Sequence, residues 1–192
     1  MAKTTKEKAV IEGRSLLQQH GYNGFSFQDI ADKLNIKKPS LYDHFACKED
    51  LAIAIIHDYS ARFDIWVQPL KEISPLERIK GVFKVFYSFA SDKAKVCPIL
   101  ALSADFQGVT RRIQKEMKVF VDKWLAWLEE QIREGQASGQ IRTDMDARML
   151  AAFTYSQAMG SQFHARIKGK PLLTLDSGEQ IIALIQRPTE VR

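Results

Sequence analysis

The sequence predicts an all-α protein, and three observations carry that prediction. Apolar residues recur three and four positions apart along nearly every segment. No stretch alternates apolar and polar residues as a half-buried strand would. The segments are bounded by capping residues, glycines and prolines, the ordinary start and stop signals of helices. Nine helices are expected.

Taken in order, the first helix spans about Thr4 to His20, with Ala9, Val10, Leu16 and Leu17 as its apolar face and Gly21 as its stop. Ser26-Phe27-Gln28-Asp29 is a capping box that opens a short second helix ending near Leu34. Asn35-Ile36-Lys37 is a turn, and Lys38–Phe45 is a third short helix with Pro39 in its first turn. From Lys48 a longer helix carries Leu51, Ile55, Tyr59, Phe63 and Trp66 on one face until Pro69 stops it. Ser74-Pro75 opens the next, with Leu76, Ile79, Val82, Phe83, Phe86 and Phe89 in a stripe, and a short helix follows Pro98. Thr110 to about Ser138 makes a long helix closing at Gly139. Thr143-x-x-Asp146 reads as a second capping box for a helix of about 144–167, and a last helix, about 176–186, is ended by Pro188.

The 192 residues fit one compact domain, or a small module fused to a larger one. Ten glycines and six prolines exclude a collagen-like or Pro/Gly-rich disordered chain, and 45% apolar residues supply a core. Cys47 and Cys97 lie far apart with no CxxC, so neither a zinc framework nor a disulfide scaffold is supported. The polar start Met1–Lys8 lacks the apolar run of a signal peptide, and no apolar run approaches a membrane span. A cytoplasmic protein without membrane, metal or cofactor is expected. The net charge of +5 is uneven: residues 1–48 hold eight basic and five acidic side chains, which hints at an anionic partner for that part. The boundary falls where short helices give way to long ones, near residues 46–48.

The informative stretch is SFQDIADKLNIKKPSLYDHFACKEDL, residues 26–51. Two short helices joined by a three-residue turn cross steeply, with Ala31 at the crossing and Ile30, Leu34, Ile36, Leu41 and Phe45 as the shared core. Lys37, Lys38, Ser40, Tyr42, Asp43 and His44 are then left outside, a basic hydrogen-bonding surface on a helix of the diameter a DNA major groove admits.

Ser26-x-x-x-Ile30-Ala31, Leu41-Tyr42-x-His44-Phe45 and Lys48-Glu49-x-Leu51 together resemble the N-terminal signature of the tetracycline-repressor (TetR) family. The resemblance implies a helix-turn-helix DNA-binding domain over 1–47 and a helical ligand-binding and dimerisation domain over 48–192 of a homodimeric repressor. It implies that Ser26 caps the second helix and touches a phosphate, and that Gln28 reaches a base edge or the backbone. Lys37, Lys38 and Pro39 would lie against bases, Ser40 and Tyr42 against phosphate or base, and His44 against phosphate. Lys48 would grip another phosphate, so that its replacement flattens the salt dependence of binding by about one counterion. Two departures stand out: Lys37 occupies a site where Ser or Thr is common and cannot cap, and Cys47 replaces the usual Ser or Asn before Lys48. Cys47 reads as a passive small residue, with a redox-sensitive thiol as the alternative. Cys97 before Pro98 reads as a buried small residue.

Aromatic residues are dense between 59 and 128. Core is the plain reading of any one of them, but the set is bulky enough to wall a cavity for a small apolar or aromatic inducer. The expected walls are Phe63, Trp66, Phe86, Phe106 and Trp124. Ala147, Ala151, Ala152, Ala158, Gly160, Ser161 and Ala165 let another helix approach closely, and the resemblance implies dimerisation through the helices of about 144–167 and 176–186. Four scattered histidines, with no HExxH, phosphate loop or nucleophile elbow, give no catalytic constellation. The expected function is a transcriptional regulator of double-stranded operator DNA, a repressor released by its inducer; an activator or a ligand-independent repressor is the alternative.

Overall fold

Thr4 starts the first helix, α1 (Thr5–His20), by accepting from the Glu7 amide at 3.2 Å while the Glu7 carboxylate accepts from the Thr4 amide at 2.7 Å. Gly21 ends it at φ 79°, in the left-handed half of the map, returning its N–H to Leu17. The same reciprocal cap, Ser26 with Asp29, opens α2 (Phe27–Leu34). Asn35 closes α2 in the left-handed conformation that Asn tolerates, and its N–H and that of Ile36 both return to Ala31. That turn sets the direction of α3 (Pro39–Tyr42). It is shorter than the predicted 38–45, because the His44 amide bonds to Leu41 at i−3 spacing and tightens the last turn.

The structure, a computed structural model, describes residues 3–187. The chain forms two compact units, the first ending at Ile65 and taking in Cys97–Phe120, the second comprising Trp66–Val96 and the chain from Val121 onward. In the first, α1 packs on α2 and on α6 (Pro98–Ser103), with most of α4 (Lys48–Val67) and the start of α7 (Arg111–Ala137). Its core holds Leu16, Leu17, Ile30, Ala31, Leu41, Phe45, Leu51 and Ile55, while Leu34 and Ile36 are half-buried. Gly13 is where α1 comes closest: a Cβ there would lie 3.2 Å from Leu51 on α4 and 3.4 Å from Ile30 on α2.

In the second unit, α5 (Pro75–Ser91), α8 (Ala147–Lys168) and α9 (Leu173–Ile185) pack against one another. A 3₁₀ turn over Pro69–Glu72 precedes α5 and is held by one buried side chain. The Arg78 guanidinium donates to the carbonyls of Leu70, Lys71 and Ile73 at 2.8–2.9 Å, to Gln131 Oε1 at 2.8 Å, and pairs with Glu134 on α7. A buried guanidinium is tolerated because almost every N–H has an acceptor.

Further along the chain, two helix starts move. Thr143 does not cap α8; Asp146 does, its carboxylate accepting from the Met149 amide at 3.1 Å, so the helix starts at Ala147 rather than 144. The last helix starts at Leu173 rather than 176, because Pro171 and Leu172 already form its leading turn. Pro188, its expected stop, lies outside the described residues. Among the described residues there are nine α-helices and no strand; Ile141 and Gln186 form one isolated antiparallel bridge.

Candidate nucleic-acid interface

The helix-turn-helix presents its polar residues as a single outward set. Ser26 is exposed, with its hydroxyl 2.7 Å from Asp29 Oδ2, and those bonds hold the Asp29 carboxyl below its usual range. Gln28 is exposed one turn along and donates to Asp32 at 2.7 Å. Lys37 and Pro39 are exposed, and Lys38 and Ser40 are half-buried. No side chain caps α3, as expected of a lysine at its start. Tyr42 is 51% exposed, its ring edge-on to Phe27 at 5.2 Å. That contact steadies the half-exposed ring from the side of the buried Phe27. His44 is exposed beside Phe45.

Lys48 is placed differently. Its ammonium turns inward from the first residue of α4, donates to the Phe25 carbonyl, and lies 4.2 Å from the Phe25 ring centre and 4.8 Å from that of Tyr22. Burial pushes the group below the usual lysine range, against the pull of Asp29 and Asp105. Beside it, the exposed Cys47 thiol donates to Asp50 at 3.4 Å. Cys97 is fully buried, and burial pushes its thiol up, away from the reactive thiolate.

The five candidate ligand residues divide between the two units. In the first, Phe63 is half-buried edge-on to Phe120, and Phe106 is exposed. In the second, Trp66 is tilted on Trp127 at 5.6 Å, and Phe86 and Trp124 are buried edge-to-face at 5.4 Å.

Two family models match this chain: one described as the tetracyclin repressor-like C-terminal domain over residues 75–174, the other as bacterial regulatory proteins of the tetR family over 12–55. The chain belongs to the TetR family. Among curated relatives, the HTH-type transcriptional repressor DhaR of Mycobacterium sp. (strain GP1) is 23% identical over 172 residues, covering 88% of this chain and 86% of its own. A TetR-family regulator from Agrobacterium tumefaciens shares the fold with a TM-score of 0.89 at 22% identity, covering 95% of this chain and 97% of its own. A TetR regulator from Legionella pneumophila gives 0.86 at 27%, covering 96% and 98%.

The TetR-family protein is thus a DNA-binding transcriptional regulator, with a helix-turn-helix ahead of a helical C-terminal region. No helix among the described residues is long and apolar enough to cross a membrane. Sequence reasoning missed three features of this family member. Tyr22 and Phe25 enclose Lys48, and Lys6 stands over the Phe45 ring at 5.9 Å. The third is a groove of about 380 Å³ between α1 and α4, bordered by Lys3, Lys6, His57 and Arg62. All three join positions distant in sequence, so no local spacing announces them.

Proposed function

We propose that the protein is a homodimeric repressor that holds a near-palindromic operator and lets go when a small apolar or aromatic molecule binds its helical region. The observation that carries the reading is the outward set on the helix-turn-helix. On this reading Lys37, Lys38 and Pro39 meet bases, Ser40 and Tyr42 phosphate or base, Gln28 a base edge or the backbone, and Ser26 and His44 phosphates, while α4 offers the backbone N–H of Lys48 to another. Residues 1–47 form the DNA-binding head and 48–192 the regulatory part.

Two such heads read one duplex only if the dimer sets them about 34–36 Å apart or at a related spacing, hence the near-palindrome. Support for the dimer comes from α8 and α9. Met149, Phe153, Phe163 and Ile167 recur at helical spacing on α8, all exposed, and Leu172 and Leu184 further along the chain are exposed too. So much exposed apolar surface is costly unless another surface covers it.

Of the expected inducer walls, Trp66, Phe86 and Trp124 share the second unit, and the proposed inducer site is built on them. The ligand acts by preferring the state in which the heads no longer match the operator, and it shifts the equilibrium only by that preference.

Footprinting the purified protein on the DNA flanking its own coding region tests the reading. A protected inverted repeat is expected, and Tyr42→Ala or Lys37→Ala should weaken its binding about ten- to a hundredfold. Unchanged affinity in both variants removes these residues from the interface. Hydrophobic compounds should raise the melting temperature and release the DNA.

A further inference from the structure

The helix-turn-helix, residues 26–47, is the stretch of chain enclosed by one contact. Phe25 stands immediately before it and Lys48 immediately after it, and the two are joined across 23 positions by the ammonium-to-carbonyl hydrogen bond. The ammonium lies against two aromatic faces, Phe25 at 4.2 Å and Tyr22 at 4.8 Å, both well within the distance at which a ring attracts a cation. Phe25 is buried, so the core holds its ring in place, and Tyr22 is half-buried beside it. Asp29 in the first turn of α2 and Asp105 add attraction at longer range.

A phosphate could take this ammonium only by drawing it out of that cage. The carbonyl of Phe25 would then lose its donor and both rings their cation, so the net gain from the phosphate would be small. Holding the ends of the stretch together, by contrast, fixes the direction in which α3 projects from the N-terminus of α4. We propose that the Lys48 side chain is a clasp that closes the helix-turn-helix onto α4 and orients it, and is not a phosphate-gripping cation. Lys48 is on this account a positioning residue. The inference rests on the DNA-binding reading for its consequence, though not for the existence of the clasp.

Two measurements on the full-length protein test it. Without DNA, the methylene protons next to the Lys48 ammonium should resonate upfield of those of the other lysines, because they lie over two rings. In Tyr22→Leu that displacement should shrink. With DNA, the probe is a duplex selected from a random-sequence pool by the wild-type protein. Lys48→Met and Tyr22→Leu should each weaken binding about tenfold, the double variant little further, and the salt slope should match wild type in all three. The proposal is overturned if Lys48→Met flattens the slope by about one while Tyr22→Leu binds as wild type does. It is equally overturned if the Lys48 methylene resonates with the other lysines. Should no duplex be selected at all, the DNA-binding reading fails, and the resonance measurement still decides for or against the clasp.

Discussion

Ser26 and Asp29 satisfy each other across the first turn of α2, and the Asp29 carboxyl is held low chiefly by the Ser26 hydroxyl and then by the Ser26 amide. A carboxyl whose folded value lies below its unfolded one stabilises the fold fully above the ordinary carboxylate range, and loses that contribution as pH falls through the lowered value. Melts of wild type and Asp29→Asn between neutral and acid pH should therefore converge, the wild-type advantage at pH 7 vanishing below the carboxylate range. An advantage that persists in acid would mean that the cap does not depend on charge. This pair was readable in advance because a capping box is local, its two residues three positions apart. The Lys48 cage was not, since the two aromatic residues gain their meaning only when α4 is folded against the turn after α1. Arg78 was equally silent, because its six acceptor atoms come from a turn, a glutamine and a glutamate on two other stretches of chain.

Helix boundaries marked by short-range chemistry came out as read, including the starts at Ser26, Ser74 and Pro98 and the stop at Gly21. The cap read at Thr143 falls instead on Asp146, whose carboxylate accepts from the Met149 amide. Close helix approaches lie beyond the reach of sequence spacing. Gly178 of α9 faces Phe83 of α5, where an added Cβ would lie 2.8 Å from Phe83 Cγ and 2.9 Å from its Cβ. Those atoms sit near the α5 backbone and the ring is buried, so they cannot swing aside. Gly178→Ala gains about 1 kcal/mol of helix propensity and costs roughly 1–3 kcal/mol of overpacking. Denaturant unfolding should show a net loss of up to about 2 kcal/mol; a gain would mean that α9 can slide on α5.

The exposed side of α8 carries the largest consequence for the whole protein. Phe163 is 65% exposed and Ile167 69%, on a helix whose opposite side is fully engaged within its own unit. If a second copy covers that side, Phe163→Glu places two like charges at the seam. Light scattering at micromolar concentration should then report one chain's mass where wild type reports two, and operator binding should fall with it. A wild-type protein that runs as a single chain would sink the dimer. The small residues of α8 suggested close approach from sequence alone, but several of them, Ala151, Ala158 and Ala165 among them, are buried inside the unit. It is Met149, Phe153, Phe163 and Ile167 that reach the surface.

The sequence by itself determined the all-α class, most helix ends and the set of polar residues on the helix-turn-helix, because each of these depends on residues within one or two turns of each other. Only the tertiary structure decided that Lys48 turns inward, that Arg78 pins the turn before α5, and which side of α8 stays bare. Those outcomes depend on what the fold brings against a side chain from far along the chain, and desolvation makes the choice: a buried cation goes where acceptors and rings await it, and an apolar residue is hidden only where a neighbour arrives.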